Sequence, residues 1–247
     1  MGMKILSIGN SFSQDAQRWL HDIAAADDFE LDTYNLFIGG CSLETHWNNI
    51  ENNASAYSFE GNNGVFIKNI SIEDALNENL YDVITVQQAS ADCGRPQTYF
   101  PYIQKIVHFV REKQPNAQLY FHKTWSYDVD SNHGAFCNYN FDSKEMYRRL
   151  CDAAETAAKV TNIEIIHSGD AIQKLRDTLP EFDMANGGMS LCRDGFHLSL
   201  DYGRFTAAAV WYKTLFDRTV NVNGFVSANK DFNPQLLNKI IECINEN

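Results

Sequence analysis

The segment Lys4-Ile-Leu-Ser-Ile-Gly-Asn-Ser-Phe-Ser13 constrains the fold more than any other. Lys4 to Ile8 is a short apolar run with β-branched residues, the pattern of a buried strand. Gly9-Asn10 is a turn signal. From Ser13 the pattern becomes helical, with Ala16, Leu20, Ile23 and Ala24 on one face. A serine in such a tight turn stands at the carboxyl edge of a sheet, where open α/β folds bind ligands. Its N–H lies beside a helix N-terminus, which favours developing negative charge. On the turn alone, a helix capped by Ser11 or Ser13 is the simpler reading.

The rest of the chain repeats the alternation. Glu30 to Phe37 predicts a second strand, ending in Ile38-Gly39-Gly40-Cys41-Ser42. Two glycines there permit a positive φ or close approach of a ligand to the backbone; a plain turn is the alternative. Ser42 or Glu44 opens a polar helix through Trp47 and Ile50. Tyr57-Ser-Phe59 and Val65-Phe-Ile67 flank Asn62-Asn63-Gly64, which predicts a β-hairpin, about residues 53–70, inserted outside the main sheet. Further strands are expected at Tyr81 to Gln88, Gln118 to His122 and Glu164 to His167. Helices are expected at Pro101 to Gln114, Ser143 to Thr161, Asp170 to Leu179, Tyr202 to Phe216 and Pro234 to Ile244. Five apolar strands alternating with helices predict a parallel sheet covered on both faces, a three-layer α/β domain. With 247 residues, 44% of them hydrophobic, and no linker or repeat, one domain spanning 1–247 is expected.

The formal charge of -12 disfavours a polyanionic partner such as nucleic acid, and no basic cluster offsets it. No apolar stretch approaches the ~20 residues that span a bilayer. No basic segment followed by an apolar one opens the chain, so the expectation is a cytoplasmic protein, or an exported one whose signal has been removed. The six cysteines are scattered without a Cys-x-x-Cys pair, which argues against a zinc site built on cysteines. Cys41 and Cys192 can lie near the site described next. No metal or cofactor is called for, and the oligomeric state is left open.

Asp194-Gly-Phe-His197 lies just before the helix that starts near Tyr202. Such a loop can present both side chains. The carboxylate can accept the Nδ1–H of the imidazole, leaving the other nitrogen free to take a proton from a serine. A serine hydroxyl is a weak nucleophile without a base in hydrogen-bond reach. Alone, an exposed Asp–His pair of purely structural use would look the same. Gln87 and Gln88 end a buried strand, where an amide must be bonded or face a cavity. Trp125 leaves the fourth strand at the same sheet edge, as a pocket wall or as core. His122 and His133 can also approach the site.

In combination these residues are more specific: Ser11 after the first strand, Gly40 after the second, an amide after the third, and Asp-x-x-His last. From Gly9 to Leu198 the chain resembles the SGNH subgroup of the GDSL hydrolases, and within it a bacterial branch that opens with Gly-Asn-Ser-Phe-Ser. Gly9-Asn10-Ser11-Phe12 matches the Gly-Asp-Ser-Leu block, with Asn for Asp and Phe for Leu. The resemblance implies a flavodoxin-like, doubly wound three-layer fold and ester hydrolysis. It implies Ser11 as nucleophile, His197 as general base and acid, and Asp194 as its orienting partner. The N–H groups of Ser11 and Gly40 would be oxyanion-hole donors. The family's third donor is an Asn in a Gly-x-Asn-Asp block, and here the chain departs, with Gln87-Gln88-Ala89-Ser90. That block is more similar to the Gln-Gly-Glu-Ser of sugar-ester-cleaving relatives, which implies Gln88 as third donor, with Gln87 the second choice. The implied substrate is a short acyl ester, O-acetyl on a carbohydrate, with Gln87 and Trp125 contacting it and Trp47 and Tyr127 as further stacking surfaces. A lipid ester or thioester is the alternative within enzymes. A catalytically silent glycan- or small-ligand-binding domain of the same fold is the alternative outside them, ahead of a phosphate or flavin binder.

Overall fold

The alternation of apolar strands and helices is realised in full. The computed structural model describes residues 2–246. Strand β1 (Met3–Gly9) leads into α1 (Ser11–Gln17) and α2 (Leu20–Ala25), then β2 (Leu31–Phe37) and α3 (Leu43–Glu51). β3 (Tyr57–Gly61) and β4 (Val65–Ile70) follow, then α4 (Ile72–Glu78), β5 (Val83–Val86), α5 (Tyr102–Lys113) and β6 (Gln118–His122). The chain closes with α6 (Ser143–Thr161), β7 (Glu164–Ile166), α7 (Ser168–Thr178), α8 (Tyr202–Phe216), α9 (Val222–Ala228) and α10 (Pro234–Asn245).

The sheet has seven strands in the order β4-β3-β2-β1-β5-β6-β7, not five. The five expected strands are parallel to one another. The hairpin does not stand outside them: β3 pairs antiparallel with β2, placing Leu36 opposite Phe59, and β4 pairs antiparallel with β3. Without the hairpin, β2 would be an edge with unpaired N–H and C=O groups. The hairpin also carries Tyr57, Phe59 and Ile70, which are buried in the core on one face of the sheet. Its outer strand leaves Val65, Phe66 and Ile67 exposed.

The strands alternate their side chains between two apolar layers, as a strand buried on both faces must. In β1, Ile5 joins the layer under α1, α2, α7, α8 and α10, whereas Leu6 and Ile8 join the layer under α3, α4 and α5. β6 does the same with Tyr120 on the first side and Leu119 and Phe121 on the second. β1 has β2 on one side and β5 on the other, so the strand order reverses direction at β1. The crevice at the carboxyl end of that strand is where an open α/β sheet offers a ligand site.

Candidate active site

Ser11 sits at that crevice as the first residue of α1, and it does not cap the helix. The cap is Asn10, whose Oδ1 accepts from Phe12 N–H at 2.9 Å, while Ser13 Oγ accepts from Asn10 N–H at 3.0 Å. This reciprocal arrangement satisfies the helix start, so the Ser11 hydroxyl is free for another partner. The turn is tight: a Cβ on Gly9 would stand 2.0 Å from Ser13 Oγ, so a side chain at Gly9 has no room.

The partner is His197. Its Nε2 lies 2.8 Å from Ser11 Oγ, and its Nδ1 lies 2.7 Å from Asp194 Oδ2. An ionised carboxylate only accepts, so Nδ1 carries the proton and Nε2 accepts from the serine. Asp194 is itself fixed by the loop. Its Oδ1 accepts from His197 N–H at 2.7 Å and Phe196 N–H at 3.2 Å. Burial alone would raise its pKa; the hydrogen bonds from the His197 ring and from these two N–H groups outweigh it and hold the carboxyl below its usual value. Gly195 has φ +84°, and a Cβ there would stand 2.9 Å from Ser131 Cα, so the bend admits only glycine.

A buried carboxylate ties this loop to α1. Asp15 lies one helical turn after Ser11 and is fully buried. It accepts from Arg193 Nη1 at 3.0 and 3.1 Å, Arg204 Nε at 2.7 Å and Leu198 N–H at 2.9 Å. Arg193 and Leu198 flank Asp194–His197, so one carboxylate clamps both ends of the segment. Sequence reading missed Asp15. The available signal was an acidic residue beside Ala16, among the apolar positions of the first helix.

Gly40 lies midway along the loop between β2 and α3 with φ +63°, and nothing stands within 4 Å of where its Cβ would be. Asn10 holds this loop, because its Nδ2 donates to Cys41 O at 3.1 Å. Neither the Ser11 nor the Gly40 N–H has an acceptor among the described residues. Cys41 itself is buried, with its thiol pushed up to about 12 by desolvation, which leaves little thiolate for nucleophilic chemistry.

The two glutamines do not stand where the resemblance implied. Gln88 turns to the other face of the strand end: its Oε1 accepts from Leu43 N–H at 3.0 Å, and its Nε2 lies 3.1 Å from both the carbonyl and the hydroxyl of Thr98. It satisfies the start of α3 and has no N–H left for an oxyanion. Gln87 donates to Asn10 Oδ1 at 2.7 Å and accepts from His122 Nδ1 at 2.7 Å. Its role is to hold Asn10. Trp125 is core and no pocket wall. It is fully buried, stacks on Phe12 with centroids 4.4 Å apart, and donates from Nε1 to Phe196 O at 2.8 Å. Tyr127 is buried as well, and the half-buried Trp47 ring is covered by Lys105 Nζ at 4.7 Å.

His122 extends the buried chain to Ser168 Oγ, 3.0 Å from its Nε2. Burial lowers its pKa to about 3, and that of the buried His46 likewise to about 3. Both are therefore neutral in the folded protein at neutral pH. Below about 6.5 an unfolded histidine takes up a proton that the folded one refuses until about 3. Stability is thus full above the higher value and falls as pH falls through that window, by roughly 2 kcal/mol per imidazole at pH 5. Urea titrations at pH 7.5 and 5 should record this loss. In His122→Gln, proton uptake on unfolding near pH 5 should drop by about one.

Sheet order, crevice and polar cluster together define an α/β protein with the fold of the SGNH hydrolases. A candidate SGNH hydrolase from Slackia heliotrinireducens superposes with a TM-score of 0.59 at 19% identity, over 87% of this chain and 100% of that one. An acetylxylan esterase from Geobacillus stearothermophilus superposes with a TM-score of 0.55 at 14% identity, over 89% and 97%. The chain belongs to the DUF4886 family, described as a domain of unknown function, whose family model matches residues 4–236. A DUF4886 family protein from Bacteroides uniformis is 39% identical, with a TM-score of 0.81 over 88% of this chain and 84% of that one. No curated protein matches it.

Proposed function

We propose that the protein is a serine hydrolase that cleaves short acyl esters, O-acetyl groups on a carbohydrate being the substrate class. The observation that carries the reading is the continuous hydrogen-bonded line from Ser11 Oγ through His197 to Asp194. His197 takes the Ser11 proton as the hydroxyl attacks the ester carbonyl. The oxygen that becomes negative is received by the open N–H groups of Ser11 and Gly40. His197 then gives its proton to the departing alcohol, and Asp194 stabilises the imidazolium in between. Water then attacks the acyl group on Ser11 as the same nitrogen takes its proton, and that proton returns to Ser11 Oγ as the bond between Oγ and the acyl carbon breaks and the acid leaves.

Gln88 has both N–H groups turned to Thr98, and Gln87 is tied to Asn10 and His122, so this mechanism is built on the two backbone donors. The carbohydrate part of the reading is supported by the acetylxylan esterase among the structural neighbours, as an analogy of fold. A fluorophosphonate probe tests the hydrolase reading. The expected result is one adduct, on Ser11, by peptide mass spectrometry. Folded protein that stays unlabelled would refute the proposal.

A further inference from the structure

We propose that His133 and Phe196 form the seat for the alcohol portion of the ester, with His133 Nε2–H donating to an oxygen of a hydroxyl-rich leaving group. This rests on the hydrolase reading and adds to it the place and chemistry of the substrate's second half.

The leaving oxygen must come within hydrogen-bond reach of His197 Nε2 to receive its proton. The group attached to it therefore passes over whatever flanks that imidazole. Two rings do so. Phe12, 5.8 Å away, is buried under Trp125 and offers no surface. Phe196, with its centroid 4.3 Å from that of His197, is only partly buried. Beyond Phe196 stands His133, edge-on at 4.7 Å, backed in turn by Tyr127 at 4.7 Å. The surface leading away from His197 is thus Phe196 and then His133.

The protonation state of His133 follows from its surroundings. Its Nδ1 accepts from Ala135 N–H at 3.1 Å, as the cap of the short helix Gly134–Tyr139, so that nitrogen carries no proton. The proton sits on Nε2, which has no acceptor among the described residues. Partial burial, and repulsion from a charged His197, lower the pKa of His133 against an opposing pull from Asp194, which favours the neutral ring. The site therefore offers an aromatic face and one oriented N–H donor. An N–H donor beside an aromatic face suits a hydroxyl-bearing group, whereas an alkyl chain would leave that donor desolvated and unpaired.

The test compares two acetyl esters that share an acyl group: 4-nitrophenyl acetate and a methyl xyloside monoacetate. The ratio of kcat/KM for the sugar ester to that for the nitrophenyl ester should fall about tenfold in His133→Ala, the scale of one lost hydrogen bond and ring contact. His133→Asn keeps a side-chain acceptor for Ala135 N–H while removing the ring, and should lower the ratio in the same way. A merely structural role would move both substrates together. A ratio within twofold of wild type in the Asn variant overturns the proposal. A wild-type protein that cleaves the nitrophenyl ester and spares the sugar ester overturns it too, and leaves the hydrolase reading standing. Wild-type protein inert to both esters and to the phosphonate probe would end both.

Discussion

Ser11→Ala and His197→Ala should each lower kcat/KM on 4-nitrophenyl acetate by roughly 10⁴- to 10⁶-fold, and the double variant should be little worse than either. The magnitude follows from what each change removes. Without the hydroxyl there is no acyl-enzyme, and the reaction falls back on whatever the oxyanion donors can do for a water molecule. Without the imidazole the serine keeps its proton at neutral pH and is a poor nucleophile. Non-additivity is the more telling part. If Ser11 Oγ and His197 Nε2, 2.8 Å apart, act as one proton-transfer unit, then losing either disables the other. Losses that multiplied would mean that the two residues serve separate steps. Thermal melts of all three variants check that the fold is kept. A residual activity above a few per cent in Ser11→Ala would mean that the nucleophile lies elsewhere.

Much of this site could be read in the sequence because its chemistry is local at each end. Gly-Asn-Ser after an apolar run specifies a strand and a turn that puts a serine at the sheet edge, though on its own it fits a helix cap as well; the distant Asp-x-x-His changes that reading. Asp-x-x-His is a one-turn spacing that lets a carboxylate reach Nδ1 of the imidazole and the N–H that follows. The parallel sheet was legible because strands buried on both faces write themselves as continuous apolar runs. The hairpin was placed wrongly for the opposite reason. Whether its strands dock on the sheet depends on the open edge of β2, a long-range pairing that leaves only Tyr57 and Phe59 as local hints.

The two glutamines mark a second limit. Successive residues at a strand end point to opposite faces, and composition does not say which face holds the crevice with Ser11. Gln88 met the Leu43 N–H at the start of α3, and Gln87 met Asn10 and His122. Trp125 illustrates the same point. Its position at the right edge of the sheet was legible, but Phe12 lies over it, and only packing reveals that.

Asp15→Ala should be among the most destabilising single substitutions in the protein, at about 3–5 kcal/mol, or a fall in Tm of roughly 6–20 °C. Asp15 has no exposed surface; of its two cations the Arg204 side chain is 15% exposed and that of Arg193 31%. Removing the carboxylate leaves two guanidinium groups facing each other across the space it filled, with the Leu198 N–H unpaired beside them. Asp15→Asn isolates the charge: it keeps the shape and one acceptor oxygen, and should recover part of the loss. The substitution should also reach function. Arg193 and Leu198 hold the two ends of the Asp194–His197 segment against α1, which carries Ser11 at its start, so loosening that clamp lets the imidazole drift from the hydroxyl. At 15 °C, where the variant is still folded, kcat on 4-nitrophenyl acetate should therefore fall by more than KM changes, because alignment is required only in the reacting geometry. A variant that melts within 2 °C of wild type would show that Asp15 does not hold the two ends of the chain together.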